Sequence, residues 1–143
     1  MAAGLASFQY DPFGRRIQKA SPGASIYLYD GDNLVEEVDA TGSVVARYAQ
    51  GLNIDEPLAM LRSGATSYYQ ADGLDSITSL SNGAGSLAQT CAYDSFGKRT
   101  SSSGSLTNPF QYTAREFDAE TNLQFSRARY YDPATGRFLS RCK

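Results

Sequence analysis

The sequence predicts an all-β fold, an antiparallel meander of twisted β-hairpins forming a curved sheet or short barrel-like coil. Three observations predict it. Ten Tyr and seven Phe, with no Trp, favour a pleated, half-buried surface over helices. Thirteen Gly, among many Ser and Asn, supply frequent turns. A strand-turn template also recurs: Tyr10-Asp11-Pro12-Phe13-Gly14-Arg15-Arg16 matches Tyr93-Asp94-Ser95-Phe96-Gly97-Lys98-Arg99. No window of a dozen residues carries a 3.6-residue apolar period.

The elements follow in order. The first hairpin turns at Asp11-Pro12-Phe13-Gly14. Strands are predicted over 25–29 and 34–38, and Asp39-Ala40-Thr41-Gly42 then turns into 43–48. Strands follow at 57–62, 66–70 and 76–80, and Asn82-Gly83-Ala84-Gly85 leads into 86–93. In these turns the Asp or Asn side chain caps its own backbone, and the Gly three residues on takes the positive-φ position. The Ser-rich stretch 100–105 reads as a loop or flexible linker. Strands are expected again at 110–113 and 123–131, with a β-turn over 118–122. Tyr-Asp pairs at 10/11, 29/30, 93/94 and 131/132 are 19, 64 and 38 residues apart. Those gaps fit one, three and two units of roughly twenty residues, an internal repeat. A single domain, 1–143, thus divides into repeat hairpins over 1–99, a Ser-rich loop over 100–107 and a C-terminal cap over 108–143.

Composition excludes several classes. The net charge of −2 is built from dispersed basic residues, not the stripe that nucleic acid requires. No apolar run approaches the roughly 20 residues of a membrane helix. Met1-Ala2-Ala3-Gly4-Leu5-Ala6-Ser7 lacks the basic and apolar regions of a secretory signal. The two cysteines, Cys91 and Cys142, form no metal pattern or disulfide framework; Cys91 reads as a small buried apolar residue. There is no His, which removes Ser/His and Cys/His pairs and most zinc sites. No metal and no cofactor are expected.

Carboxylates remain for acid/base chemistry. The richest cluster is Arg115, Glu116, Asp118, Glu120, Arg127, Arg129, Asp132 and Arg137. A close pair there, tuned by an arginine, splits into acid and base; Glu116, Asp118, Asp132 and Arg129 are the catalytic candidates. The favoured alternative is an ion-pair network that pins turns to strands. The adjacent pairs Tyr68/Tyr69 and Tyr130/Tyr131 place one ring on either face of a strand. They are the binding candidates, suited to stacking on sugars or to protein contacts, with cross-strand packing as the simpler reading.

These motifs resemble a known family. The Tyr-Asp units resemble the YD repeats of RHS proteins, and the C-terminal half resembles the RHS repeat-associated core. The matching segments are Asp55-Glu56-Pro57-Leu58-Ala59, Gln70-Ala71-Asp72-Gly73-Leu74-Asp75-Ser76, Asn108 through Thr121, and the run from Arg127 to Ser140. The resemblance implies a segment of a hollow β-shell around a toxic domain, in a secreted or cell-surface protein. It also implies an aspartic autoprotease, with Arg129 and Asp132 on its Arg-Tyr-Tyr-Asp motif. The family usually continues Phe-Leu-Ser-x-Asp-Pro after the Gly136-Arg137 turn; Cys142 stands in place of that second aspartate, so self-cleavage is expected to be lost. Gln70 stands where relatives carry His, and Asp75 where they carry Gly.

The function expected is therefore structural: a shell or interaction module contacting a toxin domain or another partner. A glycan-active hydrolase using an Asp/Glu pair and a carbohydrate-binding module using exposed Tyr are the alternatives. Open strand edges imply a homodimer or self-assembly.

Overall fold

The computed structural model describes residues 6–21 and 23–139. Cys142 and the first five residues lie outside them. Ten strands form one antiparallel sheet in sequence order: β1 Ser7–Tyr10, β2 Arg16–Ala20, β3 Ala24–Asp30, β4 Asn33–Asp39, β5 Val44–Gln50, β6 Pro57–Arg62, β7 Ala65–Ala71, β8 Ile77–Asn82, β9 Leu87–Tyr93 and β10 Arg99–Ser103. Four more form a second antiparallel sheet: β11 Glu116–Asp118, β12 Leu123–Ser126, β13 Arg129–Asp132 and β14 Arg137–Phe138. The large sheet is open, with β1 and β10 at its edges. Seven of its nine pairings carry a register shift, and each bulge adds local twist, so the sheet curves.

Alternation sorts the side chains. Tyr27, Ala46, Tyr48, Met60, Tyr69 and Leu80 fall on one face and are buried, while Ile26, Leu28, Leu61 and Tyr68 on the other are exposed. The buried face receives a plug, residues 108–115. Phe110 packs edge-on against Tyr48 at 5.2 Å and Tyr69 at 5.8 Å. The Ile77 N–H donates to the Gln111 carbonyl and the Thr113 N–H to Ser76 Oγ, so the plug's backbone polar groups are satisfied inside the fold.

Five turns share one design, and a sixth is related to it. Asp11, Asp39, Asp72, Asn82 and Asp94 each accept N–H bonds from residues two and four further on. Asp132 accepts from Ala134 and from the Thr135 hydroxyl. The position three after the first five is Gly14, Gly42, Asp75, Gly85 and Gly97, all at positive φ. Asp30 also follows a tyrosine, but β3 and β4 are joined by the two-residue turn Gly31-Asp32, too short for a loop of this kind.

Three predicted elements are corrected. The stretch expected as a Ser-rich loop supplies 100–103 of edge strand β10, because pairing with β9 satisfies a backbone whose short side chains carry no periodicity signal. Residues 110–113 do not form a strand. Phe110 makes one isolated bridge to Glu116, and Tyr112–Ala114 form a 3-10 turn with Thr113 and Ala114 at positive φ. The single strand expected over 123–131 is a hairpin, β12 and β13, turning through Arg127 at φ 55°.

Candidate functional site

The most concentrated chemistry joins the two sheets. Arg16 opens β2 directly after the Asp11 turn, on the face that meets the second sheet, and is only 1% exposed. Glu116 and Asp118 lie two apart on β11, hence on one face. The Arg16 guanidinium donates to Glu116 Oε2 at 2.7 Å and to Asp118 Oδ2 at 2.5 Å. The rings of Phe125, Phe8 and Tyr27 surround it, with centroids 4.5, 5.2 and 5.3 Å away. Lys19, further along β2, reaches Asp118 at 3.4 Å and Glu120 at 3.2 Å. Burial pushes the Glu116 carboxyl up against the opposing pull of Arg16. Burial works against charge on Arg16, but Glu116 and Asp118 hold its guanidinium protonated beyond the usual arginine range. A charge-assisted arrangement of this kind fixes two elements relative to each other, at a desolvation cost that makes the loss of either side expensive.

A second cluster ties the loop over 51–56 to the plug and the β12–β13 turn. Asp55, at φ 64°, takes Arg115 at 2.7 Å on one oxygen and Arg127 at 2.8 Å on the other. Burial raises the Asp55 carboxyl, and the two guanidiniums oppose that rise.

The catalytic candidates divide. Glu116 and Asp118 come together on Arg16. Asp132 is apart from them, capping its own turn, and the Thr135 hydroxyl followed by the Ala134 N–H holds its carboxyl below the usual range. Arg129 lays its guanidinium over the Phe138 ring at 3.7 Å. Of the tyrosines, Tyr68 is exposed at 45%, whereas Tyr69 is buried with its hydroxyl on Met60 Sδ. Tyr130 bonds the Tyr10 hydroxyl at 2.6 Å, and Tyr131 donates to the Phe96 carbonyl at 2.7 Å and packs on Phe138. Both rings of that second pair are engaged across the junction of the sheets.

Arg16 and Asp55 were missed by sequence reasoning. The one available signal for Arg16 was its position: it follows a capped turn and stands at the start of a strand. The partners of both residues lie 60 or more positions away, beyond any local pattern.

Comparison with known proteins gives a consistent picture. The family model described as Teneurin YD-shell matches residues 7–142. The chain is 33% identical over 142 residues to the tRNA3(Ser)-specific nuclease WapA of Bacillus spizizenii, and 33% identical over 141 residues to the tRNA nuclease WapA of Bacillus subtilis. Each alignment covers 95% of this chain but only 6% of the relative's length. Among solved structures, the Photorhabdus luminescens Tc holotoxin pore superposes with a TM-score of 0.73 at 18% identity, covering 96% of this chain and 8% of that one. A TcdB2-TccC3-Cdc42 crystal structure gives 0.72 at 18% identity, covering 94% and 8%. These likenesses establish a shared fold. With the family match running nearly end to end, the chain belongs to the Teneurin YD-shell family of RHS and YD-repeat proteins.

Proposed function

We propose that this chain is a wall segment of a β-shell, contacting a toxin domain or further shell strands, with its acidic cluster serving to hold the wall together. One observation carries the reading: apolar side chains are distributed on surfaces that this chain does not cover itself. In a meander, alternate turns lie at opposite rims of the sheet. The turns over 11–15, 31–32, 51–56, 72–76 and 94–98 share one rim, which exposes Phe13 at 86%, Leu52 at 105%, Ile54 at 56%, Leu74 at 64% and Phe96 at 61%. Among the described residues, the turns of the opposite rim carry no large apolar side chain. Exposed apolar surface on this scale marks a contact surface. The relatives supply a setting, since the chain spans 6% of the WapA nucleases it matches, and a secreted or cell-surface location fits that setting.

The Arg16 cluster supports holding over catalysis, because both of its carboxylates are committed to one guanidinium and withdrawn from solvent. Self-cleavage through Asp132 and Arg129 is proposed to be absent. In the isolated chain the open edges and the apolar rim drive self-association. Analytical ultracentrifugation from micromolar to hundreds of micromolar tests this. Concentration-dependent association, weakened by Leu52→Ser with Leu74→Ser, supports the wall reading. A strict monomer throughout, together with reducing-sugar release from polysaccharides that depends on Glu116 or Asp118, would replace it with a hydrolase. Retention on a polysaccharide without turnover, lost in Tyr68→Ala, would replace it with a binding module.

A further inference from the structure

A cleft of about 130 Å³ opens where the loop over 51–56, the plug and the β12–β13 turn meet β3 and β4. Its walls are the rings of Phe13, Tyr29, Phe110 and Phe125. Its polar side is three guanidiniums, of Arg15, Arg115 and Arg127, with side-chain exposures of 32%, 24% and 35%. The negative groups nearby are largely spoken for. Arg15 donates through Nε to Asp11 and through Nη1 to the Gly31 carbonyl. Each oxygen of Asp55 takes one of the other two arginines, and Glu116 is held by Arg16.

We propose that this cleft is an anion site that takes a single carboxylate, presented by an acidic side chain of a peptide, against the paired guanidiniums of Arg115 and Arg127. Asp55 is the clamp that sets the two guanidiniums side by side, and a planar fork of donors is the geometry that carboxylates fit. One carboxylate for two arginines leaves the pair short of negative charge. Burial and the neighbouring Arg127 charge accordingly hold Arg115 below the usual arginine range, despite Asp55. Three lining residues, Asp55, Ala114 and Arg127, are non-glycine residues at positive φ, and such strain persists where surrounding structure fixes a clamp.

The rest of the cleft selects the ligand. Aromatic walls suit the methylenes of a Glu or Asp side chain. A sugar ring needs many hydrogen-bond partners, and here Gln50 already donates to the Leu34 carbonyl. Asp32, which also lines the cleft, repels a second negative charge and so disfavours phosphate. None of this chemistry depends on whether the chain lines a shell.

The test is an isotope-edited NMR titration of the whole chain with N-acetyl-glutamate methylamide, its glutamine analogue, galacturonate and inorganic phosphate. The glutamate probe is expected to saturate, shifting resonances of residues lining the cleft, with the glutamine analogue at least tenfold weaker. Arg127→Gln should weaken the glutamate probe at least tenfold, and Asp32→Asn should tighten it and admit phosphate. Should Arg127→Gln fail to fold, the Asp32→Asn result decides alone. Equal binding of the glutamine analogue, tighter binding of galacturonate, no saturation at tens of millimolar, or no effect of Asp32→Asn would overturn the proposal.

Discussion

Replacing Asp75 with Gly should stabilise the protein. The five homologous turns place Gly14, Gly42, Gly85 and Gly97 at φ of 80–85°, and Asp75 at 62°. An L-residue in the left-handed region costs roughly 1–2 kcal/mol, least for Asp and Asn. Glycine gives back about 0.4–1 kcal/mol through the greater freedom of its unfolded chain. The Asp75 side chain is exposed, and a Cβ at Gly14, Gly42 or Gly85 meets nothing within 4 Å, so no packing is lost in the exchange. Removing Asp75 also relieves its repulsion of Asp55. The net gain is about 0.5–1 kcal/mol, or roughly 2–4 °C in Tm for a chain of this length. Thermal melts followed by circular dichroism, with urea titration alongside, measure it. The reciprocal change, Gly42→Asp, should cost a similar amount. A melt unchanged or lowered by Asp75→Gly would refute the claim that one turn geometry governs all five sites.

The remaining predictions follow from the same contacts. Asp39 is held below the ordinary aspartate value of 3.8, first by the Thr41 hydroxyl and then by the Ser43 and Thr41 N–H groups. A depressed carboxylate contributes stability that is present above its unfolded value and lost as pH falls through the folded one. Urea midpoints should therefore drop below about pH 4, and Asp39→Asn, which copies the Asn82 turn, should flatten part of that drop. Truncating Phe110 to Ala should cost about 3–5 kcal/mol, read as a lowered urea midpoint, because the ring is 5% exposed between Tyr48 and Tyr69.

How much of this was legible in sequence depends on the range of the interaction. The hairpins from 24 to 93 were readable because Asx turns, glycines and alternating burial all act within a few residues. The strand at 99–103 was not, since Thr and Ser on an edge carry no apolar alternation and only the partner strand defines it. The plug was misread as a strand because Phe110 and Tyr112 look like strand residues, while Thr113 and Ala114 reverse the chain at positive φ. In the candidate site, Glu116 and Asp118 stand out in the sequence only as members of a larger charged cluster, and it is strand β11 that sets them on one face. Their partner is Arg16, about a hundred residues away, and no local pattern reports a contact of that separation. Asp132 and Arg129, singled out by motif, are found apart from that pair, one accepting hydrogen bonds within its own turn and the other lying over the Phe138 ring.

The account stands on Arg16 as the bolt between the two sheets. Amide hydrogen exchange in Arg16→Met tests that most directly. Leaving Glu116 and Asp118 buried without their cation should cost about 3–5 kcal/mol, so β2, β11 and β12 should lose protection together by at least a hundredfold while β6 to β8 lose less. Protection of β11 and β12 retained at the wild-type level in a folded Arg16→Met chain would contradict it.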